Sequence, residues 1–359
     1  MITPTVPVTW LTSQVARLLS AVGVPETDAS TVATALIAAD RSGISSHGTL
    51  LAPLYIDRIL QGSVKANGEP TVIRDLGAIV ALDAEHSLGQ TSSDTAMALA
   101  VEKAKKFGIG AVTVRHAFHF GAADRYVESA ANAGLIGIAA SNTRPLLPAP
   151  GGARAVIGNN PLAVGIPRSG GDPIVVDLAM SEVALGRIRV AAAAGETIPE
   201  GWATDSLGES TTDPVEAIAG MLLPMGGPKG YGLAIVVEML TGVLGGGAFG
   251  PDVKGLYADP AIPYDCSLFF LAIDPSFFDE SFLSRSDELA RWIETSPTAP
   301  GVDRVFLPGQ RRAVKRAANS ELVPLAPSLL DALHAAAERA GIDLDPIDPD
   351  PIDPDGMNA

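Results

Sequence analysis

The beginning of the chain places apolar side chains at the spacing of two amphipathic helices. The apolar positions of the first are Val8, Leu11, Val15, Leu18, Leu19 and Val22. Pro25 opens a second stretch of the same periodicity, and Gly43 ends it. The Ser46-His47-Gly48 turn is therefore predicted just past a helix C-terminus, where irregular backbone can present side chains to a pocket.

From about residue 78 the pattern changes to short β-like runs, some of them separated by Ala-rich helical stretches. The runs cover residues 79–82, 111–114, 136–140 and 174–176, and the helical stretches cover residues 93–106 and 122–133. This alternation predicts an α/β fold. A long apolar run over residues 232–244 predicts a buried helix, in which Glu238 needs a partner or a raised pKa. A satisfied core carboxylate is the favoured interpretation of Glu238.

These patterns divide the chain into three regions. Residues 1–75 together with 305–342 are predicted to form a helical domain, and residues 76–304 an α/β region. Residues 343–359 form an acidic, Pro-rich tail. The tail is expected to be disordered and without a catalytic role, because dense prolines prevent helix and strand and repeated carboxylates repel one another.

Composition narrows the class of protein. A hydrophobic content of 47% over 359 residues is enough to bury a substantial core. The net charge of −16 argues against nucleic acid or an anionic membrane as partner, because phosphate groups favour basic surfaces. With no apolar run of about 18 residues and no signal-like N-terminus, we expect a cytoplasmic protein. Cys266 is the only cysteine, which excludes an intrachain disulfide and a Cys-rich metal site and favours a buried structural role.

Basic residues in the central third of the chain allow a small anionic ligand despite the global charge. They are Arg115, Arg144, Arg154, Arg168, Arg187, Arg189 and Lys229. The alternative interpretation is surface charge at ordinary spacing.

Two of the five histidines, His47 and His119, stand in glycine-containing turns and are candidates for acid/base chemistry. His119 follows the β-like run 111–114, at the kind of strand end where α/β folds place chemistry. An imidazole there can exchange a proton near neutral pH. His116 is three residues away, and spacing alone does not decide between His116 and His119.

Residues 245–250 spell the G-x-G-x-x-G pattern of a dinucleotide-binding loop in the wrong context. That fingerprint needs a strand before it and a helix start after it. Here a helical run precedes the glycines and Pro251 follows them. We interpret the segment as a flexible helix exit.

Eight short signatures follow one another over roughly residues 9–311. They are Ser46-His47-Gly48, His119-Phe120-Gly121-Ala122-Ala123, Ser141-Asn142-Thr143, Gly158-Asn159-Asn160-Pro161, Asp177-Leu178-Ala179-Met180-Ser181, Ile198-Pro199-Glu200-Gly201-Trp202-Ala203, Thr211-Thr212-Asp213-Pro214 and Gly226-Gly227-Pro228-Lys229-Gly230-Tyr231-Gly232-Leu233. As an ordered set they resemble the malate/L-lactate dehydrogenase family of the second type. This family also includes ureidoglycolate and sulfolactate dehydrogenases, diketogulonate reductase and reductases of piperideine- and pyrroline-2-carboxylate.

The resemblance implies an NAD(P)-dependent oxidoreductase with a distinctive non-Rossmann cofactor fold, in which residues 76–304 are the cofactor-binding and catalytic region. It also implies a homodimer with the active site near the subunit interface. Carried over, His119 is the acid/base residue, and Ser46 and His47 line the substrate pocket. The residues implied to approach NAD(H) or NADP(H) are Asn142, Thr143, Asn160, Asp177, Leu178, Ala179, Gly227, Lys229, Pro308 and Gly309.

The chemistry of these residue types is reasonable for hydride transfer, which needs a proton at the substrate heteroatom. Gly226, Gly227 and Gly230 let backbone amides approach phosphates or nicotinamide, with Lys229 adding charge; the alternative is a plain turn before a helix. Asp177 is a candidate to orient an imidazole or ribose hydroxyls, or a strand-end cap.

Two departures from the family pattern bear on the substrate. Leu51, which we group with Ser46, His47 and Arg144 as substrate-binding residues, stands where many relatives carry an Arg that pairs with a substrate carboxylate. Either another arginine, such as Arg144, captures the carboxylate, or the substrate is more apolar at that end. Ala117-Phe118 stands where relatives often have Ser-Asn, which predicts a less polar pocket.

The leading hypothesis is a dehydrogenase or reductase of a 2-oxo/2-hydroxy acid, with reduction of a cyclic imine carboxylate a close second. Within a different class, a non-redox lyase or hydratase would use His47 and His119 as an acid/base pair and need not bind nicotinamide. A third alternative is a degenerate member acting as a binding subunit, for which the missing Arg is the only support.

Overall fold

A computed structural model describes residues 4–347 and divides them into two compact units. The first unit contains residues 4–62 and 312–347, and the second contains residues 63–311. The elements in chain order are β1 (Thr5–Pro7), α1 (Val8–Ala21), α2 (Glu26–Arg41), α3 (Ala52–Leu60), β2 (Thr71–Leu76), β3 (Ile79–Asp83), α4 (Gly89–Phe107), β4 (Ile109–Ala117), α5 (Asp124–Asn132), β5 (Ile136–Ser141), β6 (Leu147–Pro148), β7 (Ala155–Ile157), β8 (Leu162–Ile166), β9 (Ile174–Leu178), α6 (Leu185–Ala194), β10 (Ala203–Thr204), α7 (Pro214–Ala219), β11 (Met221–Leu222), α8 (Pro228–Glu238), β12 (Cys266–Ile273), α9 (Phe282–Glu294), α10 (Gln310–Ala318), β13 (Leu322–Pro324) and α11 (Pro327–Ala340).

The first unit is mainly helical. Helix α1 packs against α2 and α11 packs against α3, while β1 pairs with β13 in a two-stranded sheet. The periodic side chains that predict α1 and α2, among them Leu11, Val15 and Leu36, are buried. The structure places the unit boundary after Gly62, earlier than the predicted boundary after residue 75, because β2 pairs with β3 in the large sheet of the second unit.

The second unit is built on a seven-stranded mixed sheet of order β2-β3-β4-β12-β5-β8-β9. Only β3 and β4 are parallel neighbours; the other pairs described are antiparallel. Strand β12 comes from late in the chain and lies antiparallel between β4 and β5. The sequence predicts α/β alternation and does not predict β12, so it misses the strand that separates β4 from β5.

Both faces of this sheet are covered. Helices α4 and α5 pack on one face, where Phe270 of β12 meets the Tyr126 ring. Phe269, the next residue along β12, belongs to the core on the other face, together with Ala234 and Val237 of α8. Because neighbouring strand residues point to opposite faces, an apolar run in β12 serves both layers.

The helix predicted over 232–244 is α8, which continues as a π-helical segment, Met239–Val243. The prediction that it is buried is wrong for one of its faces. Leu233, Val236 and Met239 are 44%, 51% and 52% exposed. These residues, with Val243 and Leu244, form an exposed apolar stripe, which we call the α8 stripe.

The start of the acidic tail differs from the sequence prediction. Asp345 accepts a hydrogen bond from Gln14 Nε2 (3.0 Å) and forms an ion pair with Arg17 (2.7 Å), so this part of the tail is fixed to α1. The remainder of the predicted tail, residues 348–359, lies outside the described residues. Among the described helices, none has the length and apolarity needed to cross a membrane.

Candidate active site

Most of the predicted site residues of the second unit lie where strands of the large sheet begin or end, on the same side of the sheet. We call this side, formed by strand ends, the sheet edge. Leu268, near the start of β12, pairs with Val114 of β4 and Ser141 of β5, and Leu162 at the start of β8 pairs with Leu178 at the end of β9. The ends of β4, β5 and β9 therefore meet the starts of β8 and β12. The predicted residues that end or follow these strands at this edge are His119, Asn142, Thr143, Arg144, Asn160, Asp177, Leu178 and Ala179.

His119 lies just beyond β4 and is partly exposed. Its ring has an edge-on contact with Tyr264, with ring centroids 6.4 Å apart and an angle of 75° between the planes. The backbone around His119 is fixed by close packing, because a side chain at Gly89 would overlap the carbonyl oxygens of Phe118 and His119. An imidazole held in this way suits proton transfer at the sheet edge.

His116 has a different environment, which separates it from His119. Its Nδ1 atom lies 2.9 and 3.0 Å from the two carboxylate oxygens of Asp83, and Arg115 Nε donates to the same carboxylate at 2.9 Å. Burial acts to raise the pKa of Asp83, but hydrogen bonds from Glu85, Arg115 and His116 hold it below its usual value. His116 is thus committed to an ion-pair cluster, and we assign it a structural role.

Asn142 and Asn160 are both fully buried, and their side-chain amides bond to protein groups. Asn142 Oδ1 accepts from Ser267 N (2.7 Å), and its Nδ2 donates to Ala248 O (2.9 Å). Asn160 Oδ1 accepts from Thr143 N (3.0 Å), and its Nδ2 donates to Glu238 Oε2 (2.6 Å). Their amides therefore position the loops at the sheet edge, and this favours an indirect role toward a bound molecule.

The carboxylate of Glu238 is the centre of this network. It is 6% exposed and accepts from Asn160 Nδ2, from Gly250 N (2.8 Å) and from Asn142 Nδ2 (3.3 Å). The prediction of a satisfied core carboxylate is confirmed. The network also fixes the glycine-rich segment 245–250, which follows a helical segment as predicted but is packed closely: a side chain at Gly247 would overlap Ser267.

The backbone amides of the glycine turn before α8 form more hydrogen bonds within the protein than the sequence suggests. Gly226 N donates to Glu182 Oε2 (3.3 Å), Gly227 N to Pro224 O (2.9 Å) and Gly230 N to Met225 O (2.9 Å). The expectation that these three amides face a phosphate is therefore not met in this structure. Lys229 is exposed in the first turn of α8.

The Pro308-Gly309 turn, predicted to approach the cofactor, lies against Val175 near the start of β9, two residues before Asp177. Val175 N donates to Pro308 O at 3.1 Å, so the turn covers the outer edge of β9 just before Asp177. Gly309 has a φ of +89°, and a Cβ there would lie 3.0 Å from Val175 Cβ. Both facts require glycine at this position.

Ser46, His47 and Leu51 belong to the first unit. Ser46 Oγ lies 2.9 Å from His47 Nδ1, in a short 3-10 helix, Ser45–His47. Leu51 is 1% exposed, which favours a packing role over the predicted substrate contact. The Ser-His-Gly segment is anchored by Asp40, which accepts from Thr49 N at 2.8 Å and from Thr49 Oγ1.

Tyr264 contacts the ring of His119, but no sequence motif singles it out. It is a buried tyrosine just before β12, and it stands at the sheet edge only because that strand lies between β4 and β5. Among the described residues there is no cluster of three or more His, Cys, Asp or Glu that could hold a metal ion.

A family model described as malate/L-lactate dehydrogenase matches residues 6–334. The chain belongs to this family. It is 37% identical to a malate dehydrogenase of Pyrococcus abyssi over 94% of this chain and 95% of that protein. It is also 37% identical to a (2R)-3-sulfolactate dehydrogenase (NADP(+)) of Chromohalobacter salexigens, over 89% of this chain and 94% of the relative.

The family is also visible in solved structures. The fold matches the sulfolactate dehydrogenase from Methanocaldococcus jannaschii with a TM-score of 0.90 and 34% identity, covering 95% of this chain and 98% of that structure. The mixed α/β fold and the membership of an oxidoreductase family therefore agree with the sequence-based resemblance. The protein is a dehydrogenase or reductase of this family.

Asp40 gives the first unit a testable pH dependence. Burial raises the pKa of Asp40 to about 6, although hydrogen bonds from Thr49 act in the opposite direction. Well below pH 4 both folded and unfolded chains hold this proton. As the pH rises toward 6 the unfolded chain releases it first, so the free energy of unfolding falls, by about 2 kcal/mol in total after allowing for partial exposure.

Asp40→Asn is expected to remove this decrease, so that the variant gains stability relative to the parent between pH 4 and 7. Urea unfolding at several pH values measures the difference. Asp331→Asn, which changes an exposed carboxylate on α11, is the control and should leave the profile unchanged. Parallel profiles for the parent and Asp40→Asn would contradict the assignment.

Proposed function

We propose that this protein is an NAD(P)-dependent oxidoreductase that transfers hydride between nicotinamide and a 2-oxo/2-hydroxy acid, with His119 as the general acid/base. The observation that supports it best is the placement of His119, held against Tyr264, at the sheet edge where Asp177 and Leu178 end β9. The malate and sulfolactate dehydrogenases to which the chain is similar are named for substrates of this class.

The residues present fit a nicotinamide dinucleotide at this edge. Gly226 and Gly227 have positive φ angles and open space where a side chain would stand, and exposed Lys229 supplies a cation beside them. We assign the phosphates to Lys229, with the open space at Gly226 and Gly227 admitting them beside it, and the ribose or nicotinamide side to Asp177, Leu178, Ala179, Pro308 and Gly309. When bound, the cofactor supplies a hydride. A sheet with one parallel pair favours a non-Rossmann cofactor site.

The protein's own part in the reaction is to transfer a proton to or from the substrate. In the reductive direction, protonated His119 donates to the substrate oxygen as that oxygen gains negative charge, and in the oxidative direction neutral His119 accepts the proton. From the family resemblance, we assign Ser46 and His47 to substrate binding. Leu51 cannot pair with a carboxylate, so we assign carboxylate binding to Arg144.

We also propose a homodimer. The α8 stripe leaves several large apolar side chains exposed in one chain, and an exposed helical stripe of this kind is typical of a protein interface. Light scattering coupled to size exclusion tests this: a dimeric mass is expected, and a monomeric mass at micromolar concentration would contradict it.

The activity itself is tested with purified protein, NADH or NADPH and a panel of 2-oxo acids together with a cyclic imine carboxylate. Loss of absorbance near 340 nm with a 2-oxo acid is the expected result. Turnover of only the imine would move the assignment to imine reduction. No turnover and no nicotinamide binding would contradict the proposal and favour a lyase or hydratase.

A further inference from the structure

Arg144 and Arg189 lie against two residues of one loop, Gly255 and Tyr257, and neither arginine forms an ion pair within residues 4–347. Arg144 follows β5 at the sheet edge and is partly buried, and its guanidinium donates to Pro145 O at 3.4 Å. Arg189 is in α6, where its guanidinium stacks over the Tyr257 ring at 4.9 Å. The pair therefore has positive charge available for an anion from outside the chain.

One loop, residues 250–265, connects these groups to the candidate active site. Gly255 lies against Arg144, since a Cβ there would be 3.3 Å from Arg144 Cδ. Tyr257 holds Arg189, and Tyr264 contacts His119. Lys254 N donates to Tyr264 O at 3.0 Å, which closes the loop and ties its two ends together.

The positive charge of Arg189 acts on the Arg144 guanidinium. Burial and, after it, the like charge of Arg189 lower the pKa of Arg144, while Tyr264 acts in the opposite direction. Arg144 is partly buried and Arg189 is exposed, and an anion bound between the two guanidinium groups would offset their repulsion. The chain has a net charge of −16, so acidic side chains are abundant. Within residues 4–347 none of them forms an ion pair with Arg144 or Arg189.

We propose that Arg144 and Arg189 form an anion-binding subsite that selects substrates with a second acidic group, a carboxylate or sulfonate, remote from the reacting carbon. The inference rests on the proposed function, and it makes Arg189 a specificity-determining residue. In this proposal Arg144, which lies against Gly255, serves both the carboxylate next to the reacting carbon and the remote acidic group, whereas Arg189 serves only the remote group. Tyr257 holds Arg189 in place by stacking on its guanidinium.

The chain supplies a matched control on the same helix. Arg187, two residues from Arg189, also stacks on an aromatic ring, that of Trp202 at 5.2 Å. Arg187→Gln and Arg189→Gln therefore remove the same charge and the same kind of stacking contact. Only Arg189→Gln removes the cation next to Arg144.

The first measurement compares kcat/KM for oxaloacetate, which has a second carboxylate, with kcat/KM for 2-oxobutanoate, which lacks it. Arg189→Gln is expected to lower the ratio about tenfold by raising KM for oxaloacetate, since a charge-assisted contact is lost. Arg187→Gln should change the ratio by less than about twofold. An equal loss with both substrates, or equal ratios in the two variants, would overturn the proposal.

A second measurement does not depend on turnover. Malonate, an unreactive dianion, should raise the Tm of the parent and of Arg187→Gln more than acetate does at equal ionic strength, and Arg189→Gln should lose this difference. If Arg189→Gln loses the difference between malonate and acetate but the parent turns over no 2-oxo acid, the subsite is retained and the proposed reaction is rejected. No difference between malonate and acetate in the parent would reject the subsite.

Discussion

His119→Ala is expected to lower turnover by at least about 100-fold, with little change in NAD(P)H affinity, because the variant loses the group that exchanges a proton with the substrate oxygen. His116, the nearest alternative along the chain, does not replace it, since its ring is committed to Asp83. Steady-state kinetics with the best substrate of the panel, together with fluorescence titration of NADH or NADPH, separate the two effects.

His116→Ala is the matched control for this experiment. It removes a ring from the same strand end, and it should lower stability by leaving the Asp83 carboxylate with one fewer donor while turnover stays within a few-fold of the parent. Near-normal turnover in His119→Ala, with loss of turnover in His116→Ala or His47→Ala, would contradict the assignment.

Glu238→Gln is expected to lower the free energy of unfolding by about 3 kcal/mol and to weaken cofactor binding. Three donors point at this buried carboxylate: Asn142 Nδ2, Asn160 Nδ2 and Gly250 N. A glutamine has the same shape but offers one acceptor and one donor group. At least one of the three contacts therefore becomes a donor facing a donor at a buried position.

Urea unfolding gives the stability of Glu238→Gln, and Glu102→Gln on exposed α4 surface is the control, expected to change stability by less than about 0.5 kcal/mol. Because Glu238 fixes the loops that carry Asn142, Thr143 and Asn160, the cofactor Kd should rise in the variant that loses the network and not in the control. Equal stabilities for the two variants would contradict the central role of Glu238.

The helices of the first unit were predictable because the buried face of an amphipathic helix appears in the sequence as apolar residues at helical spacing. Most of the side chains that predict α1 and α2 are buried, whereas Val8 and Val22 are only partly buried. In the second unit, the sequence predicts α4 over residues 93–106, while the structure gives Gly89–Phe107, followed by Gly108 with a φ of +82°. Local patterns thus place helices well and their first turns less well.

Strand β12 was not predictable in the same way. Its segment Leu268–Ile273 is a continuous apolar run without alternation, since both faces of this central strand are covered, and periodicity alone does not separate such a run from a buried helix. Its place between β4 and β5 is a long-range pairing that no local signal contains. Tyr264 was not predictable for the same reason, because the pairing of β12 is what brings it beside His119.

The sequence predicts which residues belong to the candidate site, but not which of them contact a ligand and which hold neighbouring loops. The motifs indicate Asn142, Asn160 and the glycine turn before α8 as parts of a cofactor bed. In the structure both asparagine amides and the amides of Gly226, Gly227 and Gly230 have protein partners. Only the tertiary structure distinguishes a residue that offers its hydrogen bonds to a ligand from one that uses them to hold a neighbouring loop.

The most direct test of the proposed function is a crystal structure of the protein with bound NADH or NADPH and an unreactive 2-oxo acid analogue such as oxamate. We expect the nicotinamide ring at the sheet edge, with the analogue between it and His119 and with the imidazole within about 3.5 Å of the analogue's oxo oxygen. A nicotinamide bound out of reach of His119, in every subunit and across every subunit contact, would contradict the proposal.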